Sequence, residues 1–492
     1  MKSPSFLFNN GLTLKMYKEI KIDFDLIEVF FLCGACVTAT SVQSRIIKTS
    51  HGIFCATVII NGVYYYRFDM KKSLNKLSFF WKRVADVFFS FLSKYDWLVL
   101  FTVLSIVGLF IRILLLDKIT DDFTVFLNNW YKGFYNHGFK EMGVNNGDYT
   151  PAYNYFLWFL SIFRINPGSK ELLRCIKLFS ISFDYLIAVY SGLIVYRVTN
   201  KDKTKAVLTY GLVLFCLTVF INSSLWGQCD SIYASFVIMS FYYYITSHHR
   251  TSAIMLGVAF AFKLQTVFVI PFFFVMFLRR KVNLKYLLWI PIVYSLFAIP
   301  ACFAASNFIV RFKEIWMVYF KQSTDSYKQL ALNCSTLYSL IFNNFSEEQY
   351  VSAFAVPLAL IIVGLFSFFI YKSKEEFDDK ILIKIFTLFV MLTPFVLPHM
   401  HERYYFVADI AIIIYVVLNP KRFYLAIVAI ITSMIGYMAY LWNVYFVSIN
   451  GDSSLSFRFG AVLYLFVICF VAFDLFKNLY PNDKKQSNLE LN

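Results

Sequence analysis

Again and again along this 492-residue chain, some twenty residues pass with almost no charge. As an α-helix, a run of about 20 residues spans the roughly 30 Å hydrocarbon core of a bilayer. In lipid, only helices and closed barrels satisfy their own backbone hydrogen bonds. These runs therefore predict an all-α polytopic membrane protein. The first clean one covers 97–116, and the rest fall near 177–197, 206–221, 231–247, 252–262, 266–278, 286–305, 351–371, 381–397, 404–419, 423–447 and 457–477.

The charges between the runs orient them. Lys and Arg gather in short cytoplasmic connections. Alternate connections here hold Arg197, Lys201, Lys203 and Lys205, then Arg250, then Arg279, Arg280 and Lys281, then Lys372 and Lys374, then Lys421 and Arg422, then Lys477, Lys484 and Lys485. The zigzag predicts about twelve spans with a cytoplasmic C-terminus, and it puts 117–176 and 306–350 outside. The same rule accounts for the net charge of +16, so no nucleic-acid partner is expected. Nine cysteines sit mostly inside apolar runs, where they act as small hydrophobes. Cys33 and Cys36 form a CxxC with no second pair, so neither a zinc site nor a disulfide framework is expected.

Two segments, 252–262 and 266–278, are too short to cross a full bilayer. They flank Lys263-Leu264-Gln265-Thr266, and Pro271 interrupts the second. Broken helices are tolerated where the freed backbone lines a cavity, so Lys263 is expected at the floor of a polar one. Residues 1–95 form an N-terminal extension that could fold as a membrane hairpin from 26–43 and 51–66. Residues 96–478 form the transmembrane domain, and 479–492 a disordered cytoplasmic tail.

Ionisable groups in or beside spans are costly, and so are functional candidates. Asp121 and Asp122 follow the first span. Phe123, Phe126, Leu127, Trp130, Tyr131 and Phe134 then recur at spacings of three and four, an apolar stripe fitting an interfacial helix. Either aspartate could take a proton from a hydroxyl; a helix cap alone would equally account for both. Asp148, Tyr149 and Tyr153 join an acid to aromatic faces that suit a sugar ring. In Trp226-Gly227-Gln228-Cys229-Asp230 a span breaks, leaving indole, amide and carboxylate groups for sugar hydroxyls. Gln265 adds an amide. Arg403 can grip a phosphate as a fork, with Lys263 as a second positive charge. His399 and His401 lack a matching set of metal ligands, so no metal is expected.

Taken in order, Thr120, Asp122, Phe123, Phe126, Leu127 and Trp130, then Gly147-Asp148-Tyr149-Thr150-Pro151 with Tyr153, then Trp226-Gly227-Gln228 with Asp230-Ser231, then Lys263 with Gln265, then His401-Glu402-Arg403-Tyr404 resemble the C-type membrane glycosyltransferases. The nearest branch is the bacterial group related to the second mannosyltransferase of GPI-anchor synthesis. The resemblance covers about 97–477. It implies inverting transfer of a hexose, mannose or similar, from a polyprenyl-phosphate donor to a glycan, glycolipid or protein acceptor, at the outer face of the plasma membrane and without a cofactor. It assigns the catalytic carboxylate to Asp122, with Asp121 one residue away. Donor or acceptor sugar would meet Asp148, Tyr149, Tyr153, Trp226, Gln228, Asp230 and Gln265. The lipid phosphate would meet Lys263, His401, Glu402, Arg403 and Tyr404. Richness in Lys, Ile, Phe and Asn suggests a low-GC bacterium, hence undecaprenyl phosphate as the carrier. Ala152 stands where relatives often carry a second proline.

Two other classes compete. A flippase for lipid-linked saccharides would use broken helices and midplane charges, but it predicts symmetry between halves, and the motifs do not recur. A cell-wall polysaccharide polymerase or ligase would place its large outer loop later, as 306–350 could be.

Overall fold

The structure, a computed structural model, describes residues 95–144, 149–322, 328–447 and 454–481, with a few short stretches before residue 95. The chain divides into two compact units, Met1–Tyr95 and Asp96–Asn492. In the first, strands β1 (Ile47–Lys48) and β2 (Phe54–Cys55) pair antiparallel. Phe54–Cys55 is thus strand where a helical hairpin from 26–43 and 51–66 is expected, and the remainder of those two segments, like the tail beyond residue 481, lies outside the described residues.

The second unit is built from helices. They run α1 (Asp96–Leu115), α2 (Asn128–His137), α3 (Pro151–Ile162), α4 (Lys170–Val198), α5 (Lys203–Leu214), α6 (Leu217–Phe220), α7 (Asp230–Ile245), α8 (His249–Phe262) and α9 (Ile270–Leu278). They continue as α10 (Leu284–Leu287), α11 (Trp289–Phe303), α12 (Phe308–Lys321), α13 (Gln349–Lys372), α14 (Asp379–Val396), α15 (Phe406–Leu418), α16 (Phe423–Trp442) and α17 (Ser454–Leu479). The apolar segments expected from 97 onward overlap these helices, although 206–221 and 286–305 are each divided between elements, so the expected count of about twelve spans is not matched. Among the described residues six helices are long and apolar enough to cross a membrane, or seven if the bent pair Lys203–Leu214 and Leu217–Trp226 is one span. The remaining apolar segments are shorter helices such as α9 and α15. Pro271 does not interrupt α9; it lies in its first turn, where a missing N–H costs nothing.

Apolar side chains face both inward and outward. On α1 the residues Val103, Ile106, Phe110 and Leu114 are exposed, and only 11% of its apolar window is buried within the protein. Such a surface is covered at low cost by lipid tails. The inner face of α1 carries Arg112, whose Nε lies 2.9 Å from Asp184 Oδ2 on α4. Its remaining donors reach the Gly108 and Leu214 carbonyls at 3.1 and 2.8 Å. The charge is thus fully paired within the bundle, as burial in a membrane protein demands.

Two features bring distant segments together. Strands β3 (Ala331–Leu332) and β4 (Met400–His401) pair in parallel and fix the run that carries Arg403. His399 supports that turn from a left-handed conformation (φ 63°), with one ring nitrogen 2.8 Å from the Gln329 carbonyl and the other 2.7 Å from the Ser352 hydroxyl. Helix α16 passes so close to the turn that a β-carbon on Gly436 would meet the Asn333 carbonyl, and would lie 2.8 Å from Glu402 Cβ.

Candidate active site

The segment after α1 turns on two ties. Thr120 stands just before the helical residues, and its hydroxyl donates away from them, to the Trp226 carbonyl at 2.9 Å. Asp121 points to the exterior, whereas Asp122 is only 8% exposed. The chain then forms a π-helical turn, Phe123–Leu127, before α2. The π turn shifts the expected stripe: Phe123, Leu127, Tyr131 and Phe134 pack inward against Tyr153 and Leu157 of α3, while Phe126 stays half exposed. The segment is therefore anchored to protein along most of that stripe.

Asp122 makes no cap hydrogen bond either. Three donors converge on it instead. Trp226 Nε1 donates to Oδ2 at 2.7 Å, the Gln228 side-chain amide donates to the same oxygen, and the Tyr440 hydroxyl donates to Oδ1 at 2.7 Å. Trp226 and Gln228 reach it because the π-helix Ile221–Trp226 ends on Gly227 at φ 82°, a left-handed conformation that suits glycine. The buried Trp226 ring stacks on Tyr440 with centroids 4.7 Å apart, and Tyr437 meets its edge at 5.3 Å. Indole and phenol are thus held by packing before they hold the carboxylate.

Two cations stand across from it. Lys263 breaks the path between α8 and a 3₁₀ turn, Leu264–Val269, with extended backbone at φ −150°, ψ 141°. Its Nζ lies 2.5 Å from Asp230 Oδ1. Arg403 Nε lies 3.5 Å from the other oxygen of Asp230, and a terminal nitrogen lies 2.8 Å from Glu402 Oε1. The Asn222 side-chain amide donates a hydrogen bond to Asp230 Oδ2 at 2.9 Å. The guanidinium also lies over the Trp226 ring, 5.4 Å from its centroid, a favourable cation–π arrangement. Burial pushes the Glu402 carboxyl up to about 7 although Arg403 beside it pulls the other way. Burial and the neighbouring cations Arg403 and Lys263 push the His401 imidazole well below its ordinary value.

These groups surround one open cavity. Asp122, Tyr149, Gln228, Lys263, Gln265, Arg403 and Tyr404 of the expected set line it. Asp230 and Glu402 do not; they are buried behind the two cations and hold them. Trp226 likewise acts from behind, through Asp122. His401 is packed against Tyr404, with ring centroids 5.1 Å apart. Tyr153 lies beneath Tyr149, its rings 5.5 Å away, and its buried hydroxyl has no hydrogen-bond partner among the described residues. Asp148 lies outside the described residues. Sequence reasoning missed Tyr440, Asn222 and Gln322, the last of which lines the cavity just beyond α12.

The arrangement can do one kind of chemistry well. A fixed carboxylate can accept a proton, two cations opposite can meet an anion, and aromatic rings and amides between them can hold a polyol. Comparison with known proteins agrees in kind: residues 149–398, just over half of the chain, match the model of glycosyltransferase family 87. That range includes Tyr149, Gln228, Lys263 and Gln265, while Asp122 and Arg403 flank it. No curated protein matches the chain.

Proposed function

The chain belongs to glycosyltransferase family 87, and on that premise we propose that this membrane glycosyltransferase is an inverting enzyme of the C type. It moves a hexose, mannose or similar, from a polyprenyl-phosphate donor to an acceptor hydroxyl at the outer face of the cell membrane. The observation that supports this reading most is that Asp122, Lys263 and Arg403, from three distant segments, open onto one cavity. In the reaction the acceptor oxygen bonds to the anomeric carbon as the bond from that carbon to the phosphate oxygen breaks. The breaking bond's electron pair leaves with polyprenyl phosphate, and the acceptor's proton passes to Asp122. A positioned base of this kind is worth about 10²–10⁴-fold in rate. Lys263 and Arg403 meet the charge that develops on the leaving phosphate, already oriented by Asp230 and Glu402. With two fixed cations at that point the reaction needs no metal. Tyr149, Trp130 and Tyr404 offer aromatic faces to the sugar, and Gln228 and Gln265 offer amides to its hydroxyls. Undecaprenyl phosphate is the proposed carrier, and the acceptor is a glycan, glycolipid or protein.

The test is to incubate purified protein in lipid nanodiscs with polyprenyl-phosphate hexoses and to follow release of polyprenyl phosphate. Turnover from at least one such donor, undiminished by a metal chelator, is expected. Turnover from nucleotide sugars alone would overturn the donor assignment, and loss on chelation would overturn the metal-free mechanism.

A further inference from the structure

Lys177 is fully buried on α4, seven residues into the helix, and its three hydrogen bonds all go to main-chain carbonyls. Nζ donates to Leu115 at 3.1 Å, Lys118 at 2.6 Å and Leu225 at 2.9 Å. Leu115 is the last residue of α1, and Leu225 lies in the last turn of the π-helix Ile221–Trp226. Helix C-termini carry exposed carbonyls and partial negative charge, so one ammonium meets two such ends at once, adding to the bond that Leu115 already accepts from Lys118 N–H. The two segments it joins are the ones that build the base: 118–122 carries Asp122, and 225–228 carries the Trp226 and Gln228 donors. Gly227 passes over the lysine stem, with a notional β-carbon 3.4 Å from Lys177 Cε.

We propose that Lys177 is a positioning residue for Asp122, an ammonium clamp that sets the carboxylate at its working distance from Trp226 and Gln228. It touches neither the cavity nor a substrate, and its effect passes through those two donors. The inference rests on Asp122 acting as the base. Removing the ammonium strands the Lys118 and Leu225 carbonyls, leaves Leu115 only its bond from Lys118 N–H, and frees the two segments to separate, while the phosphate-facing cations stay in place. Misplacing a catalytic group by about 1 Å costs on the order of 10²-fold in rate.

The test compares Lys177→Met, Trp226→Phe and the double variant in nanodiscs, with Asp122→Asn as reference. Lys177→Met is expected to lower kcat by about 10²-fold with donor KM within a few fold of wild type. The double variant should lose little more than the worse single, because both changes act on one carboxylate. Should Lys177→Met fail to accumulate folded, Lys177→Arg serves in its place; its planar fork cannot meet three carbonyls at a single point, so the same split is expected. Inactive Asp122→Asn beside wild-type kcat in the folded Lys177 variant, or additive losses in the double variant, would overturn the clamp. Active Asp122→Asn would instead overturn the base assignment on which it rests.

Discussion

At the scale of single residues, the site separates groups that face the cavity from groups that hold them. Asp122→Asn keeps the side chain's size and removes its basicity, so sugar transfer should fall by about 10²–10⁴-fold with donor binding nearly intact. Rapid-quench turnover and donor titration measure both, and activity within a few fold of wild type would reassign the base to Asp121. Arg403→Lys loses the planar fork that touches Asp230 and Glu402 and should raise donor KM. Arg403→Ala should cost about 2–5 kcal/mol of binding, as truncating a buried charge pair does. Unchanged KM with lowered stability would make Arg403 a purely structural residue. Glu402 adds a pH dependence whose sign follows from burial. Its carboxyl is raised from 4.5 to about 7, so the folded protein holds this proton more tightly than the unfolded chain. Its contribution to stability is complete below pH 4.5, falls as pH rises towards 7, and is gone above that value. Glu402→Gln should therefore flatten the stability profile between pH 4.5 and 7, measured by thermal unfolding in nanodiscs; an unaltered slope would contradict the burial argument.

At the scale of elements, the apolar helices and the break at Lys263 are legible in the sequence, whereas the count of about twelve spans meets only six or seven helices long enough to cross among the described residues, and the groups behind the cavity are not legible. Charge-free runs and basic loops mark where helices lie, because a bilayer punishes any other arrangement. Lys263, Trp226 and Arg403 stood out because polar groups beside broken spans are costly. Tyr440 did not: in Met438-Ala439-Tyr440-Leu441-Trp442 it reads as an ordinary interfacial aromatic, and only the packing of α16 on Trp226 turns its hydroxyl to Asp122. Lys177 does not stand out either: it merely opens the run 177–197, and nothing local says that two helix ends will meet there. Asp230 looked like a sugar ligand, but it begins α7 from behind the cations, where Lys263 and Arg403 share it. Gly436 shows the same limit, for its role comes from the β3–β4 turn lying against α16. Gly436→Ala must push that turn aside, at a cost of about 1–3 kcal/mol as in other overpacked sites. Because the turn carries Glu402 and Arg403, donor KM should rise along with the loss of melting temperature. A fall in stability with KM unchanged would separate the turn from the phosphate site.

At the scale of the whole molecule, the candidate site and the basic loops fall at opposite ends of the same helices. Lys177 sits beside the site, while Val198 ends α4 twenty-one residues later, about 32 Å away at 1.5 Å per residue. That distance is close to one hydrocarbon thickness. Contacts at the far end join the loops the charge rule had grouped. Arg197 pairs with Asp379 at 3.2 Å, Arg279 donates to the Ser373 and Glu375 carbonyls at 2.5 and 2.8 Å, and Arg422 and Lys384 share Asp474 at 2.5 and 2.8 Å. If the positive-inside rule sets the orientation, that end is cytoplasmic and the cavity opens outward, where a polyprenyl-phosphate head would be met. Asp121 is exposed beside Asp122, which makes it the natural reporter of the site's side. With the nine native cysteines replaced, Asp121→Cys should react with a membrane-impermeant maleimide added to intact cells, and Lys203→Cys and Arg280→Cys should react only after the cells are opened. Labelling of position 280 from outside would invert the protein, and the sugar donor would then have to be found on the cytoplasmic leaflet.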